Sequence, residues 1–272
     1  MQGRLSPPVR GLIQAFPWRH WESEFSIAQK AGFGVVEWTL DAEQLYDNPL
    51  MTSEGQGLIG AQVRRSGVSV VSLTGDCFMQ RPFWKVGDSE RGVCERDLLA
   101  VAEACHRVGI SLIVVPLVDD GSIESRRQED VLVEAFERHA DAFSDLGLRV
   151  AFESDSCPTD LLGLVDRLDP AVFGINYDIG NSASLGYSHE EELLTYGSRV
   201  INVHVKDRRL GGPSVPLGEG CADFDTVFGH LARLGYRGNF ILQTARSASG
   251  DHVGALCRYR EMTMSWIDRH GV

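Results

Sequence analysis

Apolar runs of strand length alternate along the chain with segments whose apolar residues recur every three or four positions, and Gly or Pro stands at many of the joints. The runs VVEWTL (35–40), VSVVSL (68–73), ISLIVVPL (110–117), LRVAFE (148–153), VFGINYD (172–178), RVINVHV (199–205) and NFILQT (239–244) read as strands. Helices are expected at about 20–31, 54–66, 90–108, 123–146, 159–168, 189–196, 223–234 and 251–269. In EDVLVEAFERHADAF, the residues Val131, Ala135, Phe136, Ala140 and Phe143 form one stripe, the face a helix turns toward a sheet. Gly32, Gly67, Gly109, Gly147 and Gly235 each follow a helical segment, where a left-handed cap sends the chain into the next strand.

This βαβα rhythm predicts a parallel sheet. Seven strands and eight helices need one more strand at the front to close an eightfold ring, and MQGRL at the start and GLIQAF at 11–16 are the two candidates. The rival, an open doubly wound sheet, would carry a GxGxxG phosphate loop after its first strand, and the chain has none. The expected fold class is therefore α/β, a single (β/α)8 TIM barrel covering residues 1–272, with no linker or low-complexity break. In such a barrel the reaction site lies at the C-terminal ends of the strands.

Five strand ends carry polar groups: Glu37, Glu153, Asp178, His204 and Gln243. In INVHVK the period of two points Ile201, Val203 and Val205 toward the helices and Asn202, His204 and Lys206 into the barrel. Any one of these is as readily a cap or a satisfied hydrogen-bonding group; their convergence from different strands is the signal. Two carboxylates, an imidazole and an amide oxygen form a mixed O/N shell suited to Mn²⁺, Mg²⁺, Co²⁺ or Zn²⁺, with Mn²⁺ the first to test. Lys206, Arg208 and Arg209, and Arg246 beyond the last strand, suit an anionic group on a ligand, unless Asp207 and its neighbours merely pair the arginines at the surface.

Composition narrows the partners. A formal charge of -12, from 38 acidic against 26 basic residues, opposes binding to a phosphate backbone, so nucleic acid is not expected. The six cysteines are scattered with no CxxC pair, which implies a reducing, cytoplasmic setting. No run of 18 apolar residues occurs, and no membrane association is expected.

The segments AFES, NYDIGN, INVHVKD and PLGEGCADF, together with MQGRLSPP, IQAFPWRHWESEF and VVEWTLD near the start, resemble the xylose-isomerase-like superfamily of TIM barrels, in its sugar phosphate isomerase/epimerase branch. The resemblance spans nearly the whole chain. It implies one divalent ion held by Glu153, Asp178, His204 and residue 243, where the family carries a Glu and this chain has Gln243. It further implies proton abstraction beside the carbonyl of a sugar or sugar phosphate, through an enediolate. Glu153 is the expected proton acceptor and Lys206 the partner acid, with Glu37, Asn181, Arg246 and Trp18 on the substrate, unless Glu37 makes a structural ion pair and Asn181 merely caps its loop. Ketose epimerases of this superfamily use both strand-end glutamates, and Gln243 cannot take a proton. Aldose–ketose isomerisation by one base, a dehydratase or lyase reaction on a keto-sugar or inosose, and a silent sugar-binding barrel thus stand as alternatives. An endonuclease-IV-like DNA repair enzyme shares the barrel but needs more strand-end histidines, and only His204 of the eight ends a strand here. Barrels of this type commonly form homodimers or homotetramers. The family's first strand runs just before and through MQGRL, so a short first strand is expected; a start codon assigned too late is one explanation, tested by reading the upstream frame for an apolar segment such as Ile-Gly-Ile.

Overall fold

Val, Ile, Leu and Phe fill the strand runs because each strand is covered on its outer face by helices, and both faces are buried from water. In the computed structural model, which describes Met1–Val272, the strands are β1 (Val35–Thr39), β2 (Ser69–Thr74), β3 (Leu112–Leu117), β4 (Arg149–Ser154), β5 (Phe173–Asp178), β6 (Val200–Val205), a hairpin of β7 (Asp207–Arg208) and β8 (Ser214–Val215), and β9 (Phe240–Leu242). Seven of them form one parallel sheet in the order β1-β2-β3-β4-β5-β6-β9. The helices are α1 (Trp21–Lys30), α2 (Ser53–Ser66), α3 (Asp76–Gln80), α4 (Asp88–Val108), α5 (Arg126–Arg138), α6 (Ala140–Asp145), α7 (Pro158–Val165), α8 (Ile179–Leu185), α9 (His189–Tyr196), α10 (Phe224–Arg233) and α11 (His252–His270).

The eighth strand expected in MQGRL does not form, nor does one in GLIQAF; residues 1–5 run in turns instead. That segment still bridges the ring's two edges. Gln2 N–H donates to Glu37 O of β1 (2.9 Å), and the Met1 amine lies 3.4 Å from Leu242 O of β9. An apolar cavity of about 230 Å³, lined in part by Val35, Val36, Ile241 and Leu242, lies between these edges. The helix expected over 123–146 is two, because the backbone leaves helical geometry at His139 (φ -103°, ψ 5°) between α5 and α6. Its buried side is Leu132, Val133, Ala135, Phe136 and Phe143, with Val131 and Ala140 only half-buried. All five helix-end glycines have positive φ, from 66° at Gly235 to 86° at Gly109.

Two layers of packing result. Outside the ring, Phe136 of α5 meets Phe152 of β4 edge-on at 5.0 Å and Phe173 of β5 at 5.8 Å. Inside, Leu112, Val114 and Ala151 form an apolar floor, joined by Ile201. Ile201 was expected against the helices. The register between β5 and β6 skips one residue, pairing Ile175 with Val200 and Asn176 with Asn202, and this bulge turns Ile201 inward. Above the floor the inward positions become polar, and there the site begins.

Candidate active site

Glu153 sits near the end of β4, Asp178 at the end of β5 and His204 near the end of β6, on three adjacent strands. Inward alternation brings one ligand atom from each to within 4.8 Å of the others, all three residues buried. His204 Nδ1 is 3.1 Å from a Glu153 oxygen and 3.9 Å from an Asp178 oxygen. Its other nitrogen, Nε2, lies 2.7 Å from Glu37 Oε1.

Of the two roles open to Glu37, a substrate contact and a structural ion pair, the structure shows the pair, with His204. Besides His204, its carboxylate accepts from Ser72 Oγ (2.7 Å), Thr74 Oγ1 (2.7 Å) and Asn202 Nδ2 (3.2 Å), and it does not line the cleft. Its role is orientation: a proton on Nε2 shared with Glu37 leaves Nδ1 as the face turned to Glu153 and Asp178. Burial alone would lower the His204 pKa, but the Glu37 and Glu153 carboxylates raise it to about 10. Burial likewise opposes ionisation of Glu37, yet His204 brings that carboxyl down to about 2.

Lys206, one period beyond His204, bridges the rest. Its ammonium donates to Gln243 Oε1 (2.9 Å), Asn181 Oδ1 (3.1 Å) and Asp178 Oδ2 (3.2 Å). Asn181 in turn donates Nδ2 to Glu153 Oε1 (2.7 Å), while its backbone N–H donates to Asp178 Oδ1 (2.8 Å), which caps the start of α8. Asn176 Nδ2 holds the second Glu153 oxygen at 2.7 Å. Gly180 makes room for this arrangement, since a Cβ there would lie 2.7 Å from Lys206 Cγ. Of these groups Glu153, Asn181, Lys206 and Gln243 line a cleft of about 490 Å³ at the C-terminal ends of the strands, whereas Asp178 and His204 do not line it.

Two expected substrate contacts lie elsewhere. Arg246 does not line the cleft; its guanidinium donates to the carbonyls of Gly3 (2.5 Å), Ser6 (2.8 Å) and Ile13 (3.2 Å), tying down the opening loop. Trp18 packs edge-on against Phe16 at 4.9 Å, outside the cleft. Arg208, for which surface pairing with Asp207 was the alternative, lines the cleft and donates to Asn181 Oδ1 (2.9 Å). Asp207 does not pair the arginines. Fully buried, it accepts from the backbone N–H groups of Gly218 (2.9 Å), Gly220 (2.9 Å) and Ala222 (3.1 Å), which folds PLGEGCA beside the mouth.

Arg4, Gln14 and Asp76 also line the cleft and were missed. Asp76 follows β2 where an apolar run meets a loop, the same signal that selected the other strand ends. Gln14 sits in an irregular loop with no periodicity to mark it, and its position depends on how that loop crosses the mouth.

A near-closed parallel ring with two carboxylates and an imidazole converging at its C-terminal mouth defines a class of barrel enzymes, and the match of the xylose isomerase-like TIM barrel family model to residues 25–261 places this chain in that family. The chain is 25% identical over 261 residues to the L-ribulose-5-phosphate 3-epimerase UlaE of Escherichia coli strain SMS-3-5, covering 93% of this chain and 92% of that one. Its fold is similar to the crystal structure of a xylose isomerase domain protein from Planctomyces limnophilus (TM-score 0.73, 18% identity, 90% and 92% of the two chains). It is also similar to the IOLI protein with a bound zinc atom (TM-score 0.70, 15% identity, 92% of each chain).

Proposed function

We propose that this protein is a divalent-metal-dependent isomerase or epimerase that removes a proton beside the carbonyl of a sugar or sugar phosphate, by way of an enediolate. The observation that carries this reading is the convergence of Glu153, Asp178 and His204. The donors that converge fit a borderline divalent ion: two carboxylate oxygens and an imidazole nitrogen aimed by Glu37, while the Gln243 carboxamide oxygen, expected as the fourth ligand, is taken by the Lys206 ammonium that also contacts Asp178. Mn²⁺ is the ion we favour, with Mg²⁺, Co²⁺ and Zn²⁺ as alternatives. When bound, such an ion supplies Lewis acidity toward a carbonyl and a neighbouring hydroxyl oxygen.

The chain's own groups do the rest. Glu153 accepts the carbon-bound proton, with Asn176 and Asn181 fixing its two oxygens. The Lys206 ammonium, shared among three acceptors, is placed to donate to the carbonyl oxygen as charge develops on it. Arg4 and Arg208 stand in a cleft also lined by Asp41, Asp76, Asp119, Glu153 and Asp155, and their two guanidiniums are the groups that would take a phosphate or carboxylate of the sugar. The relationship to a ketose-phosphate epimerase supports the same substrate class.

The test is a panel of ketoses, aldoses, inososes and their phosphates, L-ribulose 5-phosphate among them, incubated in D₂O with the Mn²⁺-supplemented protein. Deuterium entering beside a carbonyl is the expected result. If no member takes up label, the reading fails and a silent sugar-binding barrel replaces it.

A further inference from the structure

Residue 243 presents a problem for inversion at carbon. Epimerisation needs one group to take a proton from one face and another to return one to the opposite face, and a carboxamide does neither. Gln243 is nevertheless wired to an acid. Its Nε2 donates to Gln14 Oε1 (3.0 Å), and Gln14 Nε2 donates to Asp76 Oδ2 (2.6 Å). With Lys206 at the other end, one chain of hydrogen bonds runs Lys206–Gln243–Gln14–Asp76 across the mouth.

Asp76 follows β2, two strands round the ring from β4, on the side away from Asp178 and His204. It therefore approaches the cleft from a different wall than Glu153 does. Only 7% of Asp76 is exposed, and that exposure is to the cleft, while its Oδ1 takes no hydrogen bond from the protein. No ion pair holds it, and the reading above leaves it unused.

We propose that Asp76 is a second catalytic proton carrier of the cleft, acting from the wall of β2 in place of the acid that residue 243 lacks. The proposal rests on proton abstraction by Glu153. In one turnover the C–H bond breaks toward the Glu153 carboxylate, its electron pair passing into the enediolate, and the Asp76 O–H bond then breaks toward the same carbon from the other face as that pair returns to form the new C–H bond. Glu153 leaves as the acid and Asp76 as the carboxylate, and exchange with water resets both. Asp76 suits the part of an acid that holds its proton near neutrality: burial raises its pKa, the Gln14 hydrogen bond opposes this, Asp41 and Glu153 raise it further and Arg4 lowers it, leaving it at about 7.

The experiment compares the full-length wild type and Asp76→Asn, both Mn²⁺-supplemented, in D₂O on each ketose of the panel, reading deuterium in recovered starting sugar separately from formation of its epimer. The expected result is that Asp76→Asn still washes label into the starting sugar but forms epimer on the order of 100-fold more slowly. Epimer formation at the wild-type rate, or equal loss of exchange and inversion, overturns the proposal. A wild type that exchanges but never inverts also overturns it and leaves Glu153 chemistry standing, whereas a wild type that exchanges nothing removes that chemistry and this proposal together. Should Asp76→Asn not fold, the wild type carries the test alone. Its ratio of inversion to exchange should fall as pH rises through about 7, and a flat ratio overturns the role.

Discussion

Glu37 and His204 lie 167 positions apart in the chain and meet at 2.7 Å in the barrel interior, neither side chain reaching solvent. The contact orients the imidazole and fixes which nitrogen faces Glu153 and Asp178. Glu37→Gln should therefore weaken Mn²⁺ or Zn²⁺ binding by about 10- to 100-fold, as loss of a ligand's supporting carboxylate commonly does. Isothermal titration calorimetry checks the affinity. The metal-free variant should also be less stable by about 1–3 kcal/mol, since the buried imidazolium keeps Glu153 at 3.1 Å but loses its Glu37 carboxylate.

The same contact sets a pH dependence. His204 holds its proton up to about 10 in the folded metal-free protein, above its ordinary 6.5, so its contribution to stability is complete below about 6.5 and is lost as pH rises toward 10. Glu37 is depressed to about 2, so its contribution is complete above about 4.5 and is lost as pH falls toward 2. Both describe one ion pair and are not summed. Metal-free melting temperature should plateau at roughly pH 4.5–6.5 and decline on the alkaline side. An ion on Nδ1 must displace the proton, so binding near pH 8 should release about one proton, measurable by calorimetry in buffers of different ionisation enthalpy.

Glu153→Gln tests the proposed base directly. The amide keeps the shape of the side chain but cannot accept a carbon-bound proton, so deuterium uptake into any active sugar should fall by about 10²- to 10⁴-fold with the fold intact by circular dichroism.

Gln243→Glu should tighten divalent binding by about tenfold or more, because it adds a carboxylate beside the cluster. The Lys206 ammonium, 2.9 Å from the Gln243 oxygen, would then have a second anionic partner. Competition of the protein with a fluorescent chelator for Mn²⁺ measures the gain.

Asp207→Asn concerns the loop rather than the chemistry. The carboxylate accepts three backbone N–H groups within a fully buried environment, and a neutral carboxamide satisfies them less well. A loss of about 2 kcal/mol in thermal stability is expected, with faster proteolysis within residues 216–222 as the local readout.

What the sequence determined by itself is local. Period and composition located all seven sheet strands within a few residues, and glycines at 32, 67, 109, 147 and 235 marked where helices hand over to strands, because the left-handed turn needed there is one that glycine adopts without a Cβ clash. Residue type at the strand ends picked out Glu153, Asp178 and His204, since inward alternation is a property of the strand alone. The tertiary structure decided everything that depends on what lies across the ring. Glu37 serves the imidazole and not a substrate because β2 and β6 surround it with donors. Arg246 is consumed by three carbonyls of the opening loop, Arg208 turns into the cleft, and Ile201 faces inward because of a register skip that no periodicity signals. Asp76 joins the site through Gln14, from a loop whose path is set by the barrel it crosses. Alternation is written in neighbouring residues, whereas partners more than a hundred positions away are fixed only when the ring closes.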